Sequence, residues 1–294
     1  MIDLRGIFPP LPTSFDKNEN LALDKLKDNI VKLSQYNLAG FLVLGSNGEL
    51  VNLAESEIHD VYIAAREVIH ADKIMLAGTG ANSTRETISN TKAAANAGAD
   101  AALVLNPFYY KGLMTQQALI THYHAVADAS TIPVIVYNMP ASTGLDMDAE
   151  TIVKISSHDN IIGMKDSGGN IAKIGAIKRM AKPDFQILAG SAGFLLPALA
   201  MGAIGGILAL ANIAPEKCIR VYDAYFSGDL KNAYETQLEL IPINAAVTAQ
   251  WGVPALKAAM DYLGLYGGAA RKPLLPIKEE INQQLIKLID KHIK

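Results

Sequence analysis

The chain has 294 residues, 26 basic against 29 acidic, a net charge of −3, and 50% hydrophobic residues. That balance, with no long basic run, speaks against nucleic-acid binding, and no run of about 18 apolar residues is present to span a membrane. A single cysteine, Cys218, rules out an internal disulfide and fits a reducing, cytoplasmic setting; the first strand-like run starts almost at once, so no signal or transit peptide is read.

Eight short strand-like runs follow in order, at residues 6–12, 40–46, 73–79, 101–107, 133–138, 161–165, 185–189 and 205–211. Most are continuously apolar, as strands covered on both faces are. Segments of helical periodicity alternate with them, at 21–36, 55–69, 84–97, 116–129, 148–157 and 171–180. In the first, Leu23, Leu26, Ile30 and Leu33 share one stripe. Eightfold alternation predicts a (β/α)8 TIM barrel over residues 1–214. The remaining residues, 215–294, read as helices at 215–226, 230–246, 254–263 and 277–293. No Gly/Ser-rich or Pro-rich linker precedes them, so they are expected to pack on the barrel.

A barrel of this kind carries its active site at the C-terminal strand ends. Lys165 stands at such an end, in Ile161-Ile162-Gly163-Met164-Lys165. An amine held in apolar surroundings loses its proton more readily than at its usual pKa of about 10.4, and the free amine attacks ketones to form a Schiff base. Tyr137 ends Pro133-Val134-Ile135-Val136-Tyr137 at the same depth on the preceding strand, about 4.8 Å away. Alternation puts Ile135 and Gly163 on the same interior side, Gly163 leaving room beside the lysine. A phenol there serves the proton transfers that imine formation and carbon–carbon cleavage require.

Two loops add polar groups. Gly45-Ser46-Asn47-Gly48-Glu49 follows the second strand; its glycines allow a tight turn whose N–H groups, with the Ser46 hydroxyl, suit a carboxylate. A plain turn explains the same residues, and Glu49 is read as capping or pairing rather than reacting. Tyr109 and Tyr110 follow the fourth strand, where they fit either interface packing or a second phenol in a relay. His122 and His124, the closest of six histidines, point to different helix faces, so no metal site is read. A phosphate site at the glycine turns 190–193 and 205–206 lacks a nearby Lys or Arg.

These motifs together resemble the pyruvate-dependent class I aldolases typified by dihydrodipicolinate synthase and N-acetylneuraminate lyase. Residues 45–49 are similar to that family's Gly-Thr-Thr-Gly-Glu-type motif, Tyr137-Asn138-Met139-Pro140 to its Tyr-Asn-x-Pro motif, and Gly163-Met164-Lys165-Asp166-Ser167 to its Schiff-base segment. The resemblance covers essentially the whole chain. It implies that Lys165 forms an imine with pyruvate or another 2-keto acid, that Tyr137 is the general acid/base, and that Ser46 and Tyr109 complete the relay, Tyr109 in a neighbouring subunit's site. It further implies that Ser46 and Asn47 hold the keto-acid carboxylate, and that Ser167, Gly190 and Ile207 lie against the substrate. No metal or organic cofactor and a homotetramer built as a dimer of dimers are also implied.

Within that family, synthases of the lysine route carry an arginine in a Pro-x-Arg-Thr-Gly pattern; here Ser142 stands in its place. Sialic-acid lyases carry acidic residues after the seventh strand, where this chain reads Ala189-Gly190-Ser191-Ala192-Gly193-Phe194. The chain is most similar to the mitochondrial-type 4-hydroxy-2-oxoglutarate aldolases, also through residues 244–248 and 264–268, although those have an asparagine at Ser142. The resemblance therefore implies cleavage of 4-hydroxy-2-oxoglutarate to pyruvate and glyoxylate. Condensation of pyruvate with aspartate semialdehyde is the alternative, and a catalytically silent keto-acid-binding barrel is the non-enzymatic one.

Overall fold

In the computed structural model, which describes residues 2–294, eight parallel strands form a barrel. They are β1 (Gly6–Phe8), β2 (Gly40–Val43), β3 (Ile74–Gly78), β4 (Ala101–Leu105), β5 (Val134–Asn138), β6 (Ile161–Asp166), β7 (Gln186–Ala189) and β8 (Gly205–Ile207). Neighbours pair in sequence from β2 to β8, and β8 pairs with β1. Just beyond β1, Leu42 N–H donates to the Pro9 carbonyl and Leu11 N–H to the Leu42 carbonyl, closing the ring.

The strands are apolar on both faces because each face is covered. Phe8, Leu42, Leu76, Leu103, Ile135 and Leu188 fill the lumen. Phe41, Val43, Met75, Val104, Val136 and Met164 face the helices. Helix Leu23–Leu33 buries Leu26, Ile30 and Leu33, three of the four apolar residues on its stripe. Several helices start at polar caps: the side chains of Ser83, Thr115, Asp148 and Asn170 accept from Glu86, Ala118, Thr151 and Lys173 N–H groups.

Some segments depart from the expected pattern. The run 205–211 is divided between the short β8 and a 3-10 turn at Ala209–Asn212. Two short helices, Pro140–Thr143 and Leu195–Ala200, have too few turns to leave a periodic signature. Helix Pro215–Ser227 packs on β1 and on Leu195–Ala200, the place of a barrel's eighth helix. Leu230–Ala245 runs into a π-helical turn at Ala246–Gln250; it and Gly252–Tyr262 both pack against Glu279–His292. No helix among the described residues is long and apolar enough to cross a membrane.

The β5–β6 ladder carries a bulge. Val134 pairs with Ile161, but Ile135 pairs with Gly163, so β6 spends an extra residue there. From that point the register runs to Tyr137 opposite Lys165. A Cβ on Gly163 would lie 2.3 Å from the Gln186 carbonyl oxygen. The glycine thus admits close approach of β7, rather than making room beside the lysine.

Candidate active site

Tyr137 and Lys165 end adjacent strands and are both buried, at 4% and 3% exposure. The Lys165 Nζ lies 4.2 Å from the Tyr137 ring centroid. On the other side, the Ser46 Oγ is 3.3 Å from the Tyr137 hydroxyl. Burial pushes the Tyr137 phenol up, but the nearby Lys165 cation and the polar side chains around the hydroxyl, Ser46 foremost, outweigh it, so its pKa is lowered overall. A cavity of ≈ 280 Å³ opens over the ends of β2 to β5, lined among others by Ser46, Leu105, Phe108, Tyr137 and Ser142; Tyr137 forms part of its wall, whereas Lys165 does not line it. A larger hollow of ≈ 810 Å³ lies away from the strand ends, between helices Leu23–Leu33 and Pro215–Ser227 and the last residues of the chain.

The loop after β2 winds into one 3-10 turn at Ser46–Gly48. The N–H groups of Ser46 and Asn47 open that turn and have no acceptor within it. Ile207 belongs to the lumen cluster that contains Tyr137. The Ser167 hydroxyl is buried with no hydrogen-bond partner among the described residues. A Cβ on Gly190 would stand 2.0 Å from it and 2.7 Å from the Asp166 carbonyl oxygen. Close packing also explains Gly205, whose Cβ would lie 2.1 Å from the Gly6 carbonyl oxygen.

Tyr109 is not part of this cluster within one chain. It is 73% exposed, its ring meets Tyr110 edge-on at 5.0 Å, and its N–H donates to Asn82. Its hydroxyl bonds neither Ser46 nor Tyr137, so any part in a relay requires a second subunit.

One set of supporting residues stood inside the quoted motifs without a role of its own. Asn138 follows Tyr137 and donates to Asp146 and Asp166 at 2.7 and 2.9 Å. Asp166 follows Lys165, is fully buried, and also takes the Lys173 ammonium at 3.1 Å and the Gly168 N–H at 2.8 Å. This satisfied carboxylate ties the ends of β5 and β6 together one residue beyond the phenol and the amine. Two polar residues closing apolar runs were the only signal.

Comparison with known proteins follows the same lines. The Dihydrodipicolinate synthetase family matches residues 3–292. A protein of Emericella nidulans described as a probable mitochondrial 4-hydroxy-2-oxoglutarate aldolase is 38% identical over 281 residues, 94% of this chain and 91% of that one. A 4-hydroxy-tetrahydrodipicolinate synthase of Methanococcoides burtonii is 35% identical over 281 residues, 95% of each chain. Among solved structures, a dihydrodipicolinate synthase of Bacillus anthracis superposes with a TM-score of 0.94 at 28% identity, covering 99% of both chains. YagE, a prophage protein of the same family from E. coli K12 in complex with pyruvate, gives 0.93 at 30% identity, also over 99% of both.

Fold and comparisons together define a class I, pyruvate-dependent lyase or aldolase, which sets aside a silent keto-acid-binding barrel. The chain belongs to the dihydrodipicolinate synthetase family.

Proposed function

We propose that the enzyme cleaves 4-hydroxy-2-oxoglutarate to pyruvate and glyoxylate through a Schiff base on Lys165. The observation that carries the chemistry is the Lys165 amine beside the Tyr137 phenol, itself 3.3 Å from the Ser46 hydroxyl. The amine attacks the C2 ketone. Tyr137 shuttles the protons that let water leave the carbinolamine, and the protonated imine becomes an electron sink. Tyr137, through Ser46, then takes the proton of the C4 hydroxyl. The C3–C4 bond breaks, its electrons pass into the imine to give an enamine, and glyoxylate departs. Protonation at C3 and hydrolysis release pyruvate and restore the amine. Free N–H groups of Ser46 and Asn47 hold the C1 carboxylate, and Ser167, Gly190 and Ile207 bound the remainder. Orientation of this kind accounts for several kcal/mol of barrier.

Substrate choice rests on Ser142, which lines the cavity with a short neutral side chain. Such a residue suits a compact aldehyde better than one whose carboxylate needs a bidentate arginine. The second assignment, condensation of pyruvate with aspartate semialdehyde, draws on the Methanococcoides burtonii relative named for that synthase activity.

The same reading includes a dimer of dimers in a reducing, cytoplasmic setting, where the free, buried Cys218 stays a thiol. Two separate exposed apolar faces support the tetramer. One holds Tyr109, Tyr110 and Leu113 beyond β4; the other holds Leu230, Tyr234, Leu238 and Ile241 along one helix. In this reading the first face carries Tyr109 toward a neighbouring subunit's site.

Borohydride reduction in the presence of pyruvate tests the covalent step. It should add a reduced pyruvyl group at Lys165, and Lys165→Ala should lose both the adduct and turnover. An adduct retained by the alanine variant overturns the assignment.

A further inference from the structure

The loop that presents Ser46 is held at both ends in backbone conformations that side chains disfavour. Leu44 and Glu49, which flank it, both lie in the left-handed region, at φ 57° and 55°. Leu44 belongs to the barrel. Glu49 is anchored from the far end of the chain. Its carboxylate meets the Lys257 ammonium at 2.7 Å, and both side chains are 1% exposed. Among the described residues that ammonium is the one ionic partner of Glu49 Oε1; Oε2 accepts the Arg271 backbone N–H at 2.9 Å.

The anchoring segment is itself fixed. Lys257 also donates to the Ala269 carbonyl at 2.6 Å. Arg271 forks onto both oxygens of Glu57 at 2.7 Å and donates to the Asn52 carbonyl. Lys257 and Arg271 both lie over the ring of Phe15, at 4.6 and 4.2 Å. A lone surface pair would contribute little, but this one is sealed from water, with a cation on one carboxylate oxygen and an N–H donor on the other. A glutamine there would turn its NH₂ against one donor or the other.

We propose that Glu49 is a positioning residue for the reaction: through its buried pair with Lys257 it holds the Ser46 turn within reach of Tyr137. The C-terminal extension is thereby a working part of the barrel mouth. This rests on the assignment of Ser46 to the Tyr137 relay.

A double-mutant cycle tests it, with retro-aldol kcat/KM, thermal midpoint and borohydride trapping of pyruvate measured on each protein. Glu49→Gln should lower kcat/KM between about ten- and a hundredfold while pyruvate is still trapped on Lys165. In a Ser46→Ala background the same change should cost less than about twofold, because its target is already gone. If Glu49→Gln alone does not fold, Glu49→Gln with Lys257→Met removes both buried charges and takes its place in the cycle. Losses that multiply across the Ser46→Ala background, or unchanged turnover in the Glu49 variant, overturn the proposal alone. Wild-type protein that traps no pyruvate, or Ser46→Ala with full activity, instead overturns the proposed mechanism on which it rests.

Discussion

Lys165 faces Tyr137 across one rung of the β5–β6 ladder, its Nζ over the tyrosine ring at 4.2 Å. A cation that close opposes the burial that would otherwise keep the phenol protonated, and the net effect is a lowered Tyr137 pKa. Tyr137→Phe keeps the ring and its packing in the lumen, so the protein should fold with little loss of stability. Turnover should fall roughly 10²–10⁴-fold, the usual contribution of a general acid/base. Steady-state kinetics of the phenylalanine variant decide it: unchanged turnover would reduce the tyrosine to packing.

Ser142 sets the second expectation. Wild-type enzyme should show a higher kcat/KM for 4-hydroxy-2-oxoglutarate than for N-acetylneuraminate, and poor condensation with aspartate semialdehyde. Ser142→Arg should not raise the aldolase activity, since a long charged side chain would enter a cavity of ≈ 280 Å³. A pyruvate-release assay beside a condensation assay ranks the substrates. Should aspartate semialdehyde prove the best partner of the unaltered enzyme, the Ser142 argument fails.

Gly190→Ala probes the packing beside the amine. The added Cβ would fall 2.0 Å from the Ser167 hydroxyl and 2.7 Å from the Asp166 carbonyl oxygen. The hydroxyl can rotate away; the backbone at the end of β6 has to shift. A loss of about 1–3 kcal/mol in stability is expected, with a drop in turnover from the displaced strand end. Urea denaturation matching that of the wild type would show the contact to be soft.

His122 should weaken the fold as the pH falls. It is buried, bonded through Nδ1 to Thr84 at 2.9 Å, and burial pushes its pKa down from 6.5 to about 4. Between those values the unfolded chain binds a proton that the folded chain refuses. Stability is therefore full above about pH 6.5 and falls as pH drops toward 4, by up to about 3 kcal/mol. His122→Leu should flatten that part of the curve. Urea midpoints from pH 7 to pH 4 that run parallel in both proteins would remove His122 as the cause.

The barrel was legible because its strands are apolar runs of regular spacing and its helices carry a buried stripe. Lys165 and Tyr137 were legible for a related reason: each is the first polar-tipped residue after such a run. That Glu49 pairs rather than reacts was legible, but its partner Lys257 was not, because a contact between the second strand's loop and a helix in the C-terminal extension leaves no local pattern. Asn138 and Asp166 directly follow the two residues singled out, yet nothing in the order of residues says that their side chains meet. The place of Tyr109 came from the resemblance alone, because a contact between copies of a chain leaves no pattern within one of them.

The bulge in β6 determines which way the amine looks. Ile162 fills the lumen, so strict alternation would send Gly163 outward, Met164 inward and Lys165 out among the helices. The residue that β6 spends against Ile135 reverses that parity: Met164 joins the outer layer and Lys165 turns in over Tyr137. Reactivity here depends on a count of residues as much as on their kind. Forcing β6 into regular pairing with every residue kept would leave every chemical group present in the polypeptide, and would deliver the nucleophile to the wrong side of the wall.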